Sequence, residues 1–110
     1  MLKKILMLSC FTCFSANAGW LAQESPVVAV ESTSMNLDVF TVIVKGGNGP
    51  CTSSAGDILI TFPKSEASSP EIHNRTYAML LSAFSTGSKV SIYNYKDDSC
   101  HKAVGVRIFK

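Results

Sequence analysis

Two histidines, a pair of adjacent aspartates and a cluster of tyrosines have the widest chemical scope in this sequence, and their spacing narrows that scope. Asp97 and Asp98 are neighbours in the chain. General acid–base work needs two groups converging on one substrate across a cleft, whereas adjacent carboxylates describe a solvated turn. No serine stands in a nucleophile elbow, and the Gly46–Pro50 run GGNGP ends in proline and opens no helix, so it is no phosphate loop. Cys51, Cys100, His73 and His101 are the candidate metal ligands. Cys100 and His101 are adjacent, which aims their side chains apart, and no C-x-x-C or H-x-x-x-H spacing accompanies them. The expectation is therefore a protein that is not an enzyme, with neither metal nor cofactor. What remains is recognition. Tyr93, Asn94, Tyr95, Asp97 and Asp98, with Lys96 and Ser99 between and beside them, combine rings, an amide, carboxylates and a hydroxyl. Sugar sites use that mixture, with rings on the apolar sugar faces and polar groups on the hydroxyls. These five residues are the candidate ligand-binding set.

The N-terminus indicates where such a site would work. Lys3 and Lys4 precede an apolar run, Ile5 to Phe14, that is too short to span a bilayer, and Ala16-Asn17-Ala18 follows. This is the three-part pattern of a signal peptide, residues 1–18, with cleavage expected after Ala18. The expected product is an exported protein, periplasmic or secreted, with no stable membrane anchor. Lys3 and Lys4 leave with the leader, taking two of the ten cations and balancing the remainder against the eight carboxylates. No basic field is left to attract nucleic acid. Residues 19–110 make a single domain that buries somewhat more than about 60 % of its unfolded surface, so a covalent staple would help it. Cys51 and Cys100 are the two cysteines outside the leader, and an oxidising compartment favours a disulfide between them. In the chain-entropy model, closing a loop of that size is worth about 4 kcal/mol.

The elements that must position these residues follow from hydrophobic period and from helix and turn signals. Gly19 to Ser25 is a mixed segment in which Trp20 is either a lid on the core or an exposed sugar-stacking ring. Val27 to Val30 is a short strand, rich in β-branched residues. Leu37 to Lys45 is a second strand, apolar on both faces from Val39 onward, which suits a central position or a partner on one face. Gly46 to Pro50 is the strongest turn signal, and Asp57 to Phe62 is a third strand. Pro63 to Ser69 connects to a helix with Ser69 as N-cap, Pro70 at the first turn and Gly87 as stop. Its expected core stripe is Ile72, Leu80 and Phe84, with Tyr77 and Leu81 at the edge and His73, Asn74, Thr76 and Ser82 on the polar side. A strand follows over Lys89 to Tyr95, then a polar loop to Cys100. A last strand, Ala103 to Phe109, puts Val104, Val106 and Ile108 on one face and Gly105, Arg107 and Phe109 on the other. The fold class is thus mainly β with one helix (α+β). The order β-β-β-α-β-β is that of a five-stranded OB-fold barrel, and a plain α+β sandwich is the alternative.

The run AMLLSAFSTGSKVSI, Ala78 to Ile92, resembles the helix-to-strand junction of pentameric B subunits of bacterial A–B toxins, of the subtilase-cytotoxin and typhoid-toxin type. It is similar too to small uncharacterised exported proteins with one cysteine pair and a final V-x-V/I strand. The resemblance implies an OB-fold that binds cell-surface glycans and assembles as a homo-oligomeric ring around a helix-lined pore. No motif in Val27 to Val44 matches the sugar-binding residues of those subunits, so none is carried over. The functional expectation is an exported, non-catalytic binding protein for a cell-surface glycan. A protein–protein module, such as an inhibitor or an assembly factor acting on a protein partner, is the alternative.

Overall fold

A computed structural model describes residues 19–32 and 38–110. The expected leader and Leu37, at the expected start of the second strand, lie outside the described residues. Five strands form one antiparallel sheet in the order β3-β2-β1-β4-β5. They are β1 (Gly19–Ser32), β2 (Val39–Lys45), β3 (Asp57–Pro63), β4 (Lys89–Asn94) and β5 (Gly105–Phe109), with helix α1 (Pro70–Thr86) between β3 and β4. The expected order β-β-β-α-β-β is therefore present, in one sheet with one helix.

β1 is the element that differs most from the sequence reading. Its fourteen residues pair with β2 through Val27–Ser32 and with β4 through Gly19–Pro26. Gly, Ala, Gln, Glu and Pro are poor strand formers, so propensity misses the first half. The tertiary ladder to β4 and the complete burial of Leu21, Ala22 and Ser25 hold it extended. Register shifts between Trp20 and Ala22, Ala22 and Ser25, and Val27 and Ala29 mark bulges, with Glu24 at φ 54. Bulges bend a strand and raise its twist, which lets one strand serve both halves of a curled sheet.

The barrel is loose, because no ladder joins β3 to β5 among the described residues. The chain before β5 stands there instead. Thr61 N–H donates to the Cys100 carbonyl (2.9 Å), and Ala103 N–H donates to the Thr61 carbonyl (3.1 Å). The expected disulfide fastens this contact: Cys51, in the β2–β3 loop, is bonded to Cys100 with Cα atoms 5.7 Å apart.

Helix α1 begins as expected. Ser69 Oγ accepts from Ile72 N–H (3.2 Å), Pro70 occupies the first turn, and Gly87 ends the helix at φ 72. Its core face is rotated from the expected stripe. Thr76, Leu80 and Ala83 are the buried positions, while Phe84 is 49 % and Leu81 39 % exposed. Positions 76, 80 and 83 form one ridge, and the small Ala83 lets the helix lie close to the sheet, turning its neighbour Phe84 away. Thr76 tolerates burial by donating to the Ile72 carbonyl (2.9 Å). His73, expected on the polar side, bonds the Phe62 carbonyl through Nε2 (2.9 Å) and packs its ring on Phe40. Phe40 stacks on Phe62 at 4.8 Å and meets Tyr77 edge-on, so an aromatic group ties the start of α1 to β2 and β3. Leu21, Val42, Val44, Ile60, Val90 and Ile92 complete the core, each contributing roughly 1.5–3 kcal/mol of hydrophobic stabilisation.

Candidate functional site

The candidate site is built where β4 ends. The alternation of β4 puts Val90, Ile92 and Asn94 on one face and Ser91 and Tyr93 on the other, where Ser91 is buried as well and Tyr93 half-buried. The register places Trp20 of β1 and Gly105 of β5 opposite Tyr93, so the three form one row across three strands. The Trp20 and Tyr93 rings meet edge to face with centroids 5.0 Å apart, and Tyr93 and Tyr95 do so at 5.2 Å. Such pairs are worth about 0.5–1.5 kcal/mol beyond the area they bury.

Gly105 makes room for this row. A Cβ built there would fall under 3.0 Å from three atoms of the Tyr93 ring. The ring lies across the bare β5 backbone, where any larger residue would displace it. Two positions along β5, on the same face, Arg107 holds its guanidinium 5.1 Å from the Trp20 ring centroid and 5.9 Å from that of Phe109. Each such contact is worth about 0.5–1 kcal/mol at an exposed site and holds the fork in place. Gly19, Trp20, Tyr93, Tyr95 and Arg107 line an open hollow of about 300 Å³. Tyr95 is 74 % exposed above it.

The Tyr93 and Tyr95 hydroxyls are hydrogen-bonded to each other at 3.3 Å. That hydrogen bond, and then burial, push the Tyr93 phenol above its usual 10.0, against an opposing pull from Arg107. Among the described residues the one ion pair lies nearby, between Lys96 and Glu66 at 3.0 Å.

The five residues expected to form a ligand site divide between two tasks. Tyr93 and Tyr95 wall the hollow. Asn94 is 1 % exposed and uses its whole amide within the loop: Oδ1 accepts from Lys96 N–H (2.8 Å) and Asp97 N–H (3.4 Å), while Nδ2 donates to Asp97 Oδ1 (3.0 Å) and the Ser99 carbonyl (3.2 Å). Asp97 Oδ1 accepts from Ser99 N–H as well (2.9 Å). Asn94 and Asp97 thus form the scaffold that presents Tyr95, and Asp98 is exposed beyond them. Arg107 joins the site from outside the expected set. Its signal was the alternation of the last strand, which puts Arg107 on the face of Gly105 and Phe109, away from the core.

The other polar groups are occupied elsewhere. His101 Nδ1 meets Thr61 Oγ1 at 3.2 Å. No three of His, Cys, Asp and Glu converge as metal ligands among the described residues. A wider hollow of about 570 Å³ lies along the connector between β3 and α1, but no aromatic ring lines it. No helix among the described residues is long and apolar enough to cross a membrane. The rings around Tyr93 offer stacking surfaces, the phenols a donor and an acceptor each, and Arg107 a fork of donors.

The chain belongs to a family of unknown function, DUF5992, whose model matches residues 1–110. No curated protein and no solved structure matches it.

Proposed function

We propose that this member of the DUF5992 family is an exported, non-catalytic binding protein that takes a glycan on the Trp20–Tyr93–Tyr95 surface. One observation carries the reading: three aromatic rings and a held guanidinium gather around one hollow on the outward face of the sheet. Sugar rings present apolar C–H faces that pack on aromatic rings, with hydroxyls at their rims that pair with phenols and guanidinium donors. Export is supported by the leader pattern of residues 1–18 and by the disulfide, which is suited to an oxidising compartment. The order of elements is consistent with the resemblance to toxin B subunits, and assembly into a homo-oligomeric ring forms part of this proposal.

The test is binding to a broad glycan array by the mature protein, with Trp20→Ala and Tyr95→Ala as variants. The expected result is selective binding that both variants abolish. A null across the array sinks the glycan reading. The second reading, a protein–protein module acting as an inhibitor or assembly factor, is favoured by the apolar side chains left in solvent, Val28, Leu59, Leu81 and Phe84, each 39–49 % exposed. It expects co-purification with a protein partner, lost on Phe84→Ser rather than on Tyr95→Ala.

A further inference from the structure

Tyr93 and Tyr95 are the shared wall of two hollows. On one side is the hollow with Trp20 and Arg107, about 300 Å³. On the other is a groove of about 290 Å³ between α1, through Ile72, Arg75 and Met79, and the start of β5, Val104 to Val106. Each alone stands at the lower limit of the volumes that ligand sites occupy, and the two together fall well within that range. Each side also brings its own cation: Arg107 on the first, Arg75 on the second, both exposed. Neither arginine is ion-paired among the described residues, and the one carboxylate lining the groove, Glu66, is engaged by Lys96. β5 is an edge strand, so the groove runs beside backbone N–H and C=O groups that the sheet leaves unpaired.

We infer that the ligand is an oligosaccharide of at least two units that crosses the Tyr93–Tyr95 wall and fills both hollows at once, one unit against Trp20 and Arg107, the next against Arg75 and the edge of β5. This rests on the glycan reading and goes beyond it by specifying chain length and a second subsite. A single unit would meet one hollow only. A linked pair binds its second unit intramolecularly, at the high effective concentration that the glycosidic bond imposes.

The experiment uses the mature protein and sugars bound on the array, each supplied as a monomer and as linear chains of two to four units, in neutral and uronic-acid forms, measured by titration calorimetry. Affinity is expected to rise by about tenfold or more from one unit to two. Arg75→Ala, an exposed substitution compatible with a helix, is expected to remove most of the gain in affinity from one unit to longer chains. A stronger gain in the uronic-acid series identifies acid groups as the partners of the arginines, and equal gains in both series identify hydroxyls. Affinity independent of chain length, or an Arg75→Ala variant that weakens monomer and tetramer alike, overturns the two-hollow inference while the glycan reading stands. Absence of binding at every length removes the glycan reading, and this inference with it. Near-UV circular dichroism of the variant, expected to match the parent, keeps a folding defect from counting as either result.

Discussion

Replacing Gly105 by alanine tests the architecture of the site without touching any side chain in it. The added Cβ would fall under 3.0 Å from Cζ, Cε1 and Cε2 of Tyr93, closer than real Cβ contacts allow, and the β5 backbone that carries it cannot withdraw without breaking its ladder to β4. The Tyr93 ring must therefore swing off the strand. In doing so it gives up its edge-to-face contacts with Trp20 and Tyr95, about 0.5–1.5 kcal/mol each. Gly105 has no left-handed backbone, so alanine adds no backbone strain and returns about 0.4–1 kcal/mol by restricting the unfolded chain. The net cost is about 1–2 kcal/mol, in line with overpacked sites elsewhere. In a domain of this size that lowers Tm by roughly 4–16 °C. Urea unfolding gives the free energy, and near-UV circular dichroism reports the loss of coupled aromatic rings. The decisive control is the same change in a Tyr93→Ala background, where nothing remains to be displaced and Gly105→Ala should be neutral or slightly stabilising. A single variant as stable as the parent, with an unchanged near-UV spectrum, would refute the reasoning. So would an equal cost in both backgrounds, because the penalty would then not arise from Tyr93.

Three further outcomes follow from the same geometry. Replacing Cys51 and Cys100 together by alanine should cost about 4 kcal/mol in urea unfolding, and amide exchange at Thr61 and Ala103 should speed up first, since their bonds to the stapled loop close the edge of β3. One tyrosine should ionise after the others in an absorbance titration, and Tyr95→Phe should return it towards 10.0. Because the folded phenol is raised above its unfolded value, its stabilisation is present below about pH 10 and fades as pH climbs through the folded pKa, so the parent should lose stability in that alkaline range more steeply than Tyr95→Phe. Ser69→Ala should cost about 1 kcal/mol by leaving the Ile72 N–H uncapped, read from the urea midpoint at unchanged m-value.

Much of the architecture was legible because its determinants are local. Ser69, Pro70 and Gly87 bound α1 by rules that operate within one turn of helix, and the alternation in Asp57 to Phe62 and Val104 to Phe109 marks β3 and β5 without knowledge of their neighbours. The helix face was less legible. A periodic pattern places Phe84 near the stripe of Leu80, but only the close approach permitted by Ala83 decides which ridge meets the sheet. The candidate site divided along the same line. Tyr93 and Tyr95 carried a compositional signal, whereas the turning of Asn94 and Asp97 into the loop depended on hydrogen bonds that composition does not reveal.

From its residues alone, this chain determines a leader pattern, one capped helix, the number and order of strands and a disulfide between Cys51 and Cys100. Each is written in neighbouring residues or in a count of cysteines. The tertiary structure decides that β1 runs for fourteen residues and that Trp20, Tyr93, Gly105 and Arg107 meet. Those residues come from three strands, β1 being far in sequence from β4 and β5, and they meet only because of the register in which the strands pair. Register is set by bulges and by the burial of the opposite face, both properties of the assembled sheet that no single segment contains.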